Sequence, residues 1–322
     1  MSKFLITGGA GFIGANFCNY VVDKYPNDSF VCLDALTYAG NIKAIESLFS
    51  RPNFKFIKEN ICNMDGLNKV FLEEKFDYVI NFAAETHVDN SIENPSIFYE
   101  TNVNGTLNLL ELCRKYGIKR FHQISTDEVY GSLSLTDLNI LFKEDFPLNP
   151  SSPYSASKAA ADLLVLAYYK TYNLPVTISR CSNNYGPYQH LEKLIPKTIF
   201  NAINNKIIPI YGTGINIRDW LFVKDHCTAV DLIIRNSETG KIYNIGGNNE
   251  KDNLTVVNMI LDKLAKSKDL IVFVNDRLGH DMRYAIDSSL IKKELGWLPK
   301  YSFDEAILDT IDWYLDNQDW FI

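Results

Sequence analysis

Thr7-Gly8-Gly9-Ala10-Gly11-Phe12-Ile13-Gly14 follows the apolar run that starts at Phe4 and opens a stretch, Phe12 to Asp23, with apolar residues at helical spacing. Glycines between a strand and a helix let the backbone turn tightly, admit a diphosphate to the N–H groups of the helix N-terminus, and pack helix closely on strand. Taken alone, such a cluster also serves as a structural turn, and its surroundings decide. Asp34 ends the next apolar run, 20 residues after Gly14, where a carboxylate can accept hydrogen bonds from adenosine ribose hydroxyls. No Arg follows it immediately to hold a 2'-phosphate, so NAD is expected rather than NADP. The competing reading of Asp34 is a turn-forming aspartate at a strand end.

Working outward, strand-like runs recur at Phe4 to Thr7, Phe30 to Asp34, Phe54 to Lys58, Tyr78 to Phe82, Arg120 to Ser125 and Val176 to Arg180. Helical patterns at Phe12 to Asp23, Met64 to Glu74, Ser96 to Tyr116 and Tyr154 to Tyr172 separate them. That alternation predicts an α/β fold, a Rossmann-type doubly wound parallel sheet with crossover helices. After Cys181 the texture changes to loops rich in Asn, Gly and Pro with short strands and helices, which suggests a smaller α/β substrate-binding region. The expected division is 1–180 for dinucleotide binding, with later segments able to return to it, and 181–322 mainly for substrate, the ligand lying between them.

At 322 residues and 46% hydrophobic the chain can bury a substantial core. A net charge of -7 without blocks of like charge argues against nucleic acid or an anionic membrane as partner. The run Phe4 to Phe17 is broken by glycines and lacks a cleavage signature, and nothing approaches the ~20 apolar residues that span a bilayer, so no signal peptide or membrane span is expected. Cys18, Cys32, Cys62, Cys113, Cys181 and Cys227 are scattered, with no C-x-x-C and no histidine nearby; reduced thiols, no metal site and a cytoplasmic location follow as expectations.

The chemistry is written in two stretches, Ser125-Thr126-Asp127-Glu128-Val129-Tyr130-Gly131 and Tyr154-Ser155-Ala156-Ser157-Lys158. Tyr154 and Lys158 fall on one face of a helix, where an ammonium can stabilise a phenolate whose ordinary pKa is about 10. Such a pair is also common as an exposed Tyr beside a solvated Lys. Asp127 and Glu128 follow a strand at the edge where ligands bind in open α/β sheets; the alternative is that Ser125, Thr126 and Asp127 only cap a turn. A redox pair joined to an acid-base pair suggests oxidation followed by elimination, the work of a sugar dehydratase.

These residues resemble the extended short-chain dehydrogenase/reductase family and, within it, the nucleotide-sugar 4,6-dehydratases. The likeness covers nearly the whole chain: Thr7 to Gly14, Asp34 to Asn41, Ala83 to Asp89, Ser125 to Gly131, Tyr154 to Lys158, Ser182 to Pro187, Glu192 to Pro196 and Arg218 to Leu221. The resemblance implies tightly bound NAD, a nucleotide-sugar substrate (dTDP-glucose or UDP-glucose) and a 4-keto-6-deoxy product for deoxysugar biosynthesis. It gives Tyr154 the 4-hydroxyl proton, has Thr126 hold that oxygen, and places Lys158 on the nicotinamide ribose. Glu128 then removes the C5 proton while Asp127 protonates the departing 6-hydroxyl. Around the cofactor it implies Gly8, Gly11, Phe12, Ile13, Gly14, Asp34, Thr37, Asn60, Ile61, Ala83, Thr101 and Asn184 beside Tyr154 and Lys158. For the substrate it implies Thr86, Thr126, Asn183, Lys193, Leu194, Pro209, Ile210, Tyr211, Arg218, Asn253, Arg277 and His280. A homodimer is implied, paired through the helices Ser96 to Tyr116 and Tyr154 to Tyr172, with Leu164, Leu166, Tyr168 and Tyr169 as exposed apolar positions that would equally serve a monomer's core.

Several positions depart from that pattern. Asn60 replaces an Asp at adenine, His190-Leu191 replaces aromatic-Pro, Leu278 replaces a Pro and Met282 a basic residue, and no residue chooses between thymine and uracil. Arg218 with Asp219, and Arg277 with Asp276 or Asp281, also fit plain surface ion pairs. The rival functions are a nucleotide-sugar 4-epimerase or decarboxylase, which would lack the acid-base pair, and a non-catalytic NAD-binding protein, which would have lost Tyr154, Lys158 or a glycine.

Overall fold

Strand and helix alternate from the N-terminus of the computed structural model, which describes residues 1–321. The first part runs β1 (Lys3–Thr7), α1 (Phe12–Lys24), β2 (Ser29–Asp34), β3 (Phe54–Lys58), α2 (Met64–Glu74), β4 (Tyr78–Asn81), α3 (Val88–Glu93) and α4 (Pro95–Phe98). It continues with α5 (Thr106–Tyr116), β5 (Arg120–Thr126), α6 (Pro153–Tyr172) and β6 (Val176–Cys181). The rest adds β7 (Asn183–Tyr185), α7 (Leu194–Ile203), β8 (Ile208–Tyr211), β9 (Ile217–Phe222), α8 (Val223–Asn236), β10 (Ile242–Ile245) and β11 (Glu250–Asp252). It closes with α9 (Asn253–Lys263), β12 (Ile271–Val274), α10 (Ser289–Leu295) and α11 (Phe303–Asp316).

Seven strands pair in parallel in the order β3-β2-β1-β4-β5-β6-β10. Every residue of β6 and four of the five in β1 are buried, as a sheet covered on both faces requires. One face packs on α1 and α8 through Phe17, Val21, Val230 and Ile233; the other meets α2, α5 and α6 through Leu67, Leu109, Leu110 and Val165. Beyond residue 181, then, α8 and β10 belong to the large sheet and its covering layer. Order reverses between β1 and β4, which opens a crevice at their carboxyl ends. The small sheet β11-β9-β7 and the pair β12-β8 make the second region, held by Tyr185, Trp220, Phe303, Ile307 and Tyr314.

Ser152 begins α6 with a capping box to Ser155 and Pro153 in the first turn, and Asn173 ends it in the left-handed region. The helix expected over Ser96 to Tyr116 is not continuous: a π-helical turn, Tyr99–Gly105, separates α4 from α5. Its wider turn carries Asn102 inward, where the side chain bonds both the N–H and C=O of Glu85 and the Ser157 hydroxyl. That pins the loop after β4 beside the crevice, a use found often for π-turns. Of the positions expected to be exposed on α6, Tyr168 is buried and Leu164, Leu166 and Tyr169 pack against the sheet layer. Helical register turns Leu163 outward instead, 58% exposed, and Tyr172 is 49% exposed where the helix ends. The six cysteines are free, and no helix among the described residues is long and apolar enough to cross a membrane.

Candidate active site

At the dinucleotide end Gly8 adopts φ +66°, and a Cβ there would stand 2.5 Å from the Ala83 nitrogen. At Gly14 a Cβ would stand 2.2 Å from the Gly8 carbonyl oxygen. Only glycine lets β1, α1 and the loop after β4 approach so closely. No side chain caps α1, so its first N–H groups and its dipole remain for an anion. The cradle therefore fits the diphosphate of NAD. Asp34 accepts from Ala10 N at 2.9 Å and Leu36 N at 2.8 Å, so it does fix the turn, and its oxygens keep lone pairs for ribose hydroxyls. Burial raises its pKa against those N–H bonds. All fourteen residues named for the cofactor, Gly8 through Asn184, line one cleft, and Asn60 there also accepts from Cys62 N at 2.9 Å.

The same cleft takes in Thr126, Asp127 and Glu128 at the end of β5 and Tyr154 and Lys158 at the start of α6. Thr126 Oγ1 accepts from Glu128 N and donates to Asp127 Oδ1, both at 3.3 Å, and so starts the 3₁₀ turn Asp127–Tyr130. The capping role exists, and the turn it makes aims both acids into the cleft. Asp127 is 1% exposed with Oδ2 unpartnered. Burial, then the charges of Glu128 and Asp219, push its pKa well above the carboxylate range. Burial also raises Glu128, but Arg277, Arg218 and Lys193 oppose it. Both acids are therefore raised, but unequally: Asp127 is held far toward the protonated form, while three cations limit the rise at Glu128, so Glu128 ionises first.

Tyr154 and Lys158 share a helix face, yet Lys158 Nζ donates to Ile124 O at 2.7 Å. Burial pushes Tyr154 well above its usual pKa, with the Thr126 hydroxyl opposing, and pushes Lys158 down. The bond to Ile124 O uses one of the three N–H donors of Lys158 and fixes its ammonium at the end of β5, one helical turn from Tyr154.

Of the substrate residues, Thr86, Asn183 and Lys193 line the cleft with Thr126, and Lys193 Nζ donates to Thr86 O at 3.0 Å. Leu194, Pro209, Ile210, Tyr211, Arg218, Asn253, Arg277 and His280 lie beyond that lining, on α7, β8, β9, α9 and the segment after β12. Ile210 packs inward with Val257 and Leu261. Neither surface ion pair forms. Arg218, 4% exposed, lies 4.4 Å over the Tyr284 ring and donates to Ile217 O and Asp281 O, while Asp219 accepts from Gly247 N and Asn249 N. Arg277 faces Asp89 at 3.7 Å, and Asp276 takes His280 Nδ1 at 2.6 Å.

The cleft also holds Glu85, Gln189, His190 and Glu192, to which sequence reasoning gave no role. Burial would raise Glu192, but His190, Lys193 and His87 hold it down at about 2. A signal existed in the motifs around Glu85 and Glu192; the approach of His87, about a hundred residues earlier in the chain, to Glu192 did not show in them.

A family model described as GDP-mannose 4,6 dehydratase matches residues 5–310. The dTDP-glucose 4,6-dehydratase of Neisseria meningitidis serogroup B is 47% identical, over 99% of this chain and 95% of that protein. Among solved structures, dTDP-glucose 4,6-dehydratase of Bacillus anthracis in complex with NAD superposes with TM-score 0.92 at 49% identity, covering 99% of this chain and 98% of that one. The Streptomyces venezuelae dTDP-glucose 4,6-dehydratase, with NAD and TYD bound, gives 0.95 at 41% identity with the same coverage.

Proposed function

The chain belongs to the dTDP-glucose 4,6-dehydratase family, and from that premise we propose residue roles for a hydro-lyase that turns dTDP-glucose into its 4-keto-6-deoxy derivative with NAD as cofactor. The observation that carries the assignment is the split between Asp127 and Glu128 in the cleft that also holds the dinucleotide cradle and Tyr154. Bound NAD supplies the hydride acceptor for C4 and donor for C6, and its oxidised ring a positive charge that favours phenolate beside it. Tyr154 Oη takes the proton of the 4-hydroxyl, and Thr126 Oγ1 holds that oxygen. The C4 ketone acidifies the C5 proton, which Glu128 removes while Asp127 gives its proton to the 6-hydroxyl, so water leaves. Near-complete burial of Asp127, Tyr154 and Lys158 keeps solvent from competing.

In this reading residues 1–180 with α8 and β10 hold the dinucleotide, and the remainder of 181–322 grips the nucleotide sugar. Lys193, Arg218 and Arg277 supply the cations for its diphosphate. An epimerase or decarboxylase would have no use for the acid-base pair, which favours elimination. The outward Leu163 on α6, 58% exposed, supports a homodimer, to be checked by sedimentation against the 36.7 kDa chain mass. For the reaction, dTDP-glucose and UDP-glucose supplied separately should show loss of one water from dTDP-glucose by mass and the alkaline absorbance of a keto sugar. A product that keeps every oxygen, as in 4-epimerisation, would refute the dehydratase roles; equal use of both sugars would mean that the base pocket is permissive.

A further inference from the structure

Asp89 crosses the cleft. It sits in the first turn of α3, on the dinucleotide side just after β4, inside the Ala83 to Asp89 motif and outside every role given above. Its Oδ2 accepts the Tyr211 hydroxyl at 3.1 Å, and its Oδ1 lies 3.7 Å from Arg277 Nη1. Tyr211 ends β8 and Arg277 follows β12, so a single carboxylate joins two elements of the opposite region to α3. At this junction two buried atoms lack a hydrogen-bond partner, Asp89 Oδ1 and Arg277 Nε. A buried guanidinium N–H left without an acceptor is costly, and a phosphate oxygen is the acceptor that its planar fork suits best. Arg277 is also near enough to Glu128 to favour the ionised base.

We propose that Asp89 is a positioning residue for substrate: it orients the Arg277 guanidinium toward the nucleotide diphosphate and, by accepting the Tyr211 hydroxyl, holds the Tyr211 ring against the nucleotide. This rests on the reading above that Arg277 and Tyr211 face the nucleotide. Asp89 lies outside the lining that holds Thr126, Asp127, Glu128 and Tyr154, so its loss loosens the grip and leaves the chemical step in place.

Steady-state kinetics of Asp89→Ala, Asp89→Asn, Arg277→Ala and the Asp89→Ala/Arg277→Ala double variant, with dTDP-glucose, test it. Asp89→Ala should raise KM about ten-fold with kcat reduced less than about two-fold and NAD content unchanged. Asp89→Asn, which can still accept from Tyr211, should raise KM less. The double variant should raise KM little beyond Arg277→Ala, because Asp89 acts through that guanidinium. Unchanged KM in both Asp89 variants, a fall in kcat without a rise in KM, a lowered KM, or additive effects in the double variant would each overturn the proposal. Should Asp89→Ala fail to fold, Asp89→Asn decides on the same criteria. Should Arg277→Ala itself leave KM alone, the nucleotide-site reading fails, and the positioning role with it.

Discussion

The shelf at the end of β5 and the rim formed by Arg218 and segments 190–193 and 276–282 face each other across the cleft, and they hold their side chains by different means. Thr126, Asp127 and Glu128 extend a strand paired on both sides, by β4 and β6, and α6 delivers Tyr154 within its first turn. On the rim, charges are held mainly by other side chains: Glu192 by His87, His190 and Lys193, Arg277 by Asp89, and Arg218 by the Tyr284 ring and two carbonyls. Groups that make and break bonds sit on continuous backbone, and groups that grip sit in a network whose members can be exchanged. The sequence follows the same division, since His190, Leu191, Leu278 and Met282 all depart from the family pattern on the rim while the shelf keeps every residue.

The comparison breaks most easily at Glu128. Glu128→Gln should keep bound NAD and the fold but lower dehydration by about 10³-fold or more, since a general base contributes ~10²–10⁴. A variant that dehydrates normally would move the C5 base elsewhere. Asp127→Asn should cost about 10²-fold, and because Glu128 still acts, it should continue to exchange the C5 hydrogen with deuterated solvent. The raised pKa values give the pH dependence its sign. Activity falls on the acid side as Glu128 is protonated, above the usual glutamate value, and on the basic side as Asp127 loses the proton it must donate. An acid limb below pH 4 would contradict the buried position of Glu128.

Much of this was legible in the chain because parallel strands covered by helices leave a simple apolar pattern. The ends expected for β3 and α2 coincide with those observed, and those of the other named strands differ by one residue or so. The glycine turn, Asp34 and the Tyr154–Lys158 spacing carry their reasons locally, so all reach the cleft. What stayed hidden depends on register and on distant partners. Periodicity at Ser96 to Tyr116 could not reveal a π-turn that serves Asn102, nor tell Leu163 from Leu164 as the outward residue. Lys158 bonding Ile124 O, and Glu192 meeting His87, are contacts between segments that sequence spacing does not measure.

Beneath the shelf, rigidity has a cost that acid should expose. His122 on β5 lies between Thr177 Oγ1 at 2.8 Å and Ser179 Oγ at 3.0 Å, and His226 on α8 lies 2.9 Å from Asn184 Oδ1. Burial depresses both to about 3. Between roughly pH 6.5 and 3 the unfolded chain therefore binds protons that the folded one refuses, and each histidine withdraws stability as pH falls, about 1.4 kcal/mol per unit. From pH 6.5 to 5 that is about 2 kcal/mol for each. Buried acids such as Asp127 act oppositely, so the measurement is the difference in slope between the parent and His122→Asn in chemical denaturation. Equal slopes would mean that His122 is already accessible to protons in the folded state.

The smallest change is expected on the rim. His190 is half-exposed, its Nδ1 lies 3.5 Å from Glu192 Oε2, and its ring meets Tyr38 edge-on at 5.5 Å. In His190→Tyr the aromatic contact persists while a solvent-screened polar contact with Glu192 disappears, a loss of under about 1 kcal/mol. Lys193 at 3.2 Å remains on Glu192, so the carboxylate stays held. KM for dTDP-glucose should move less than about three-fold, within that same limit. A ten-fold rise would show that the rim network is as intolerant as the shelf, and the contrast between strand-held and side-chain-held groups would then describe geometry without describing tolerance.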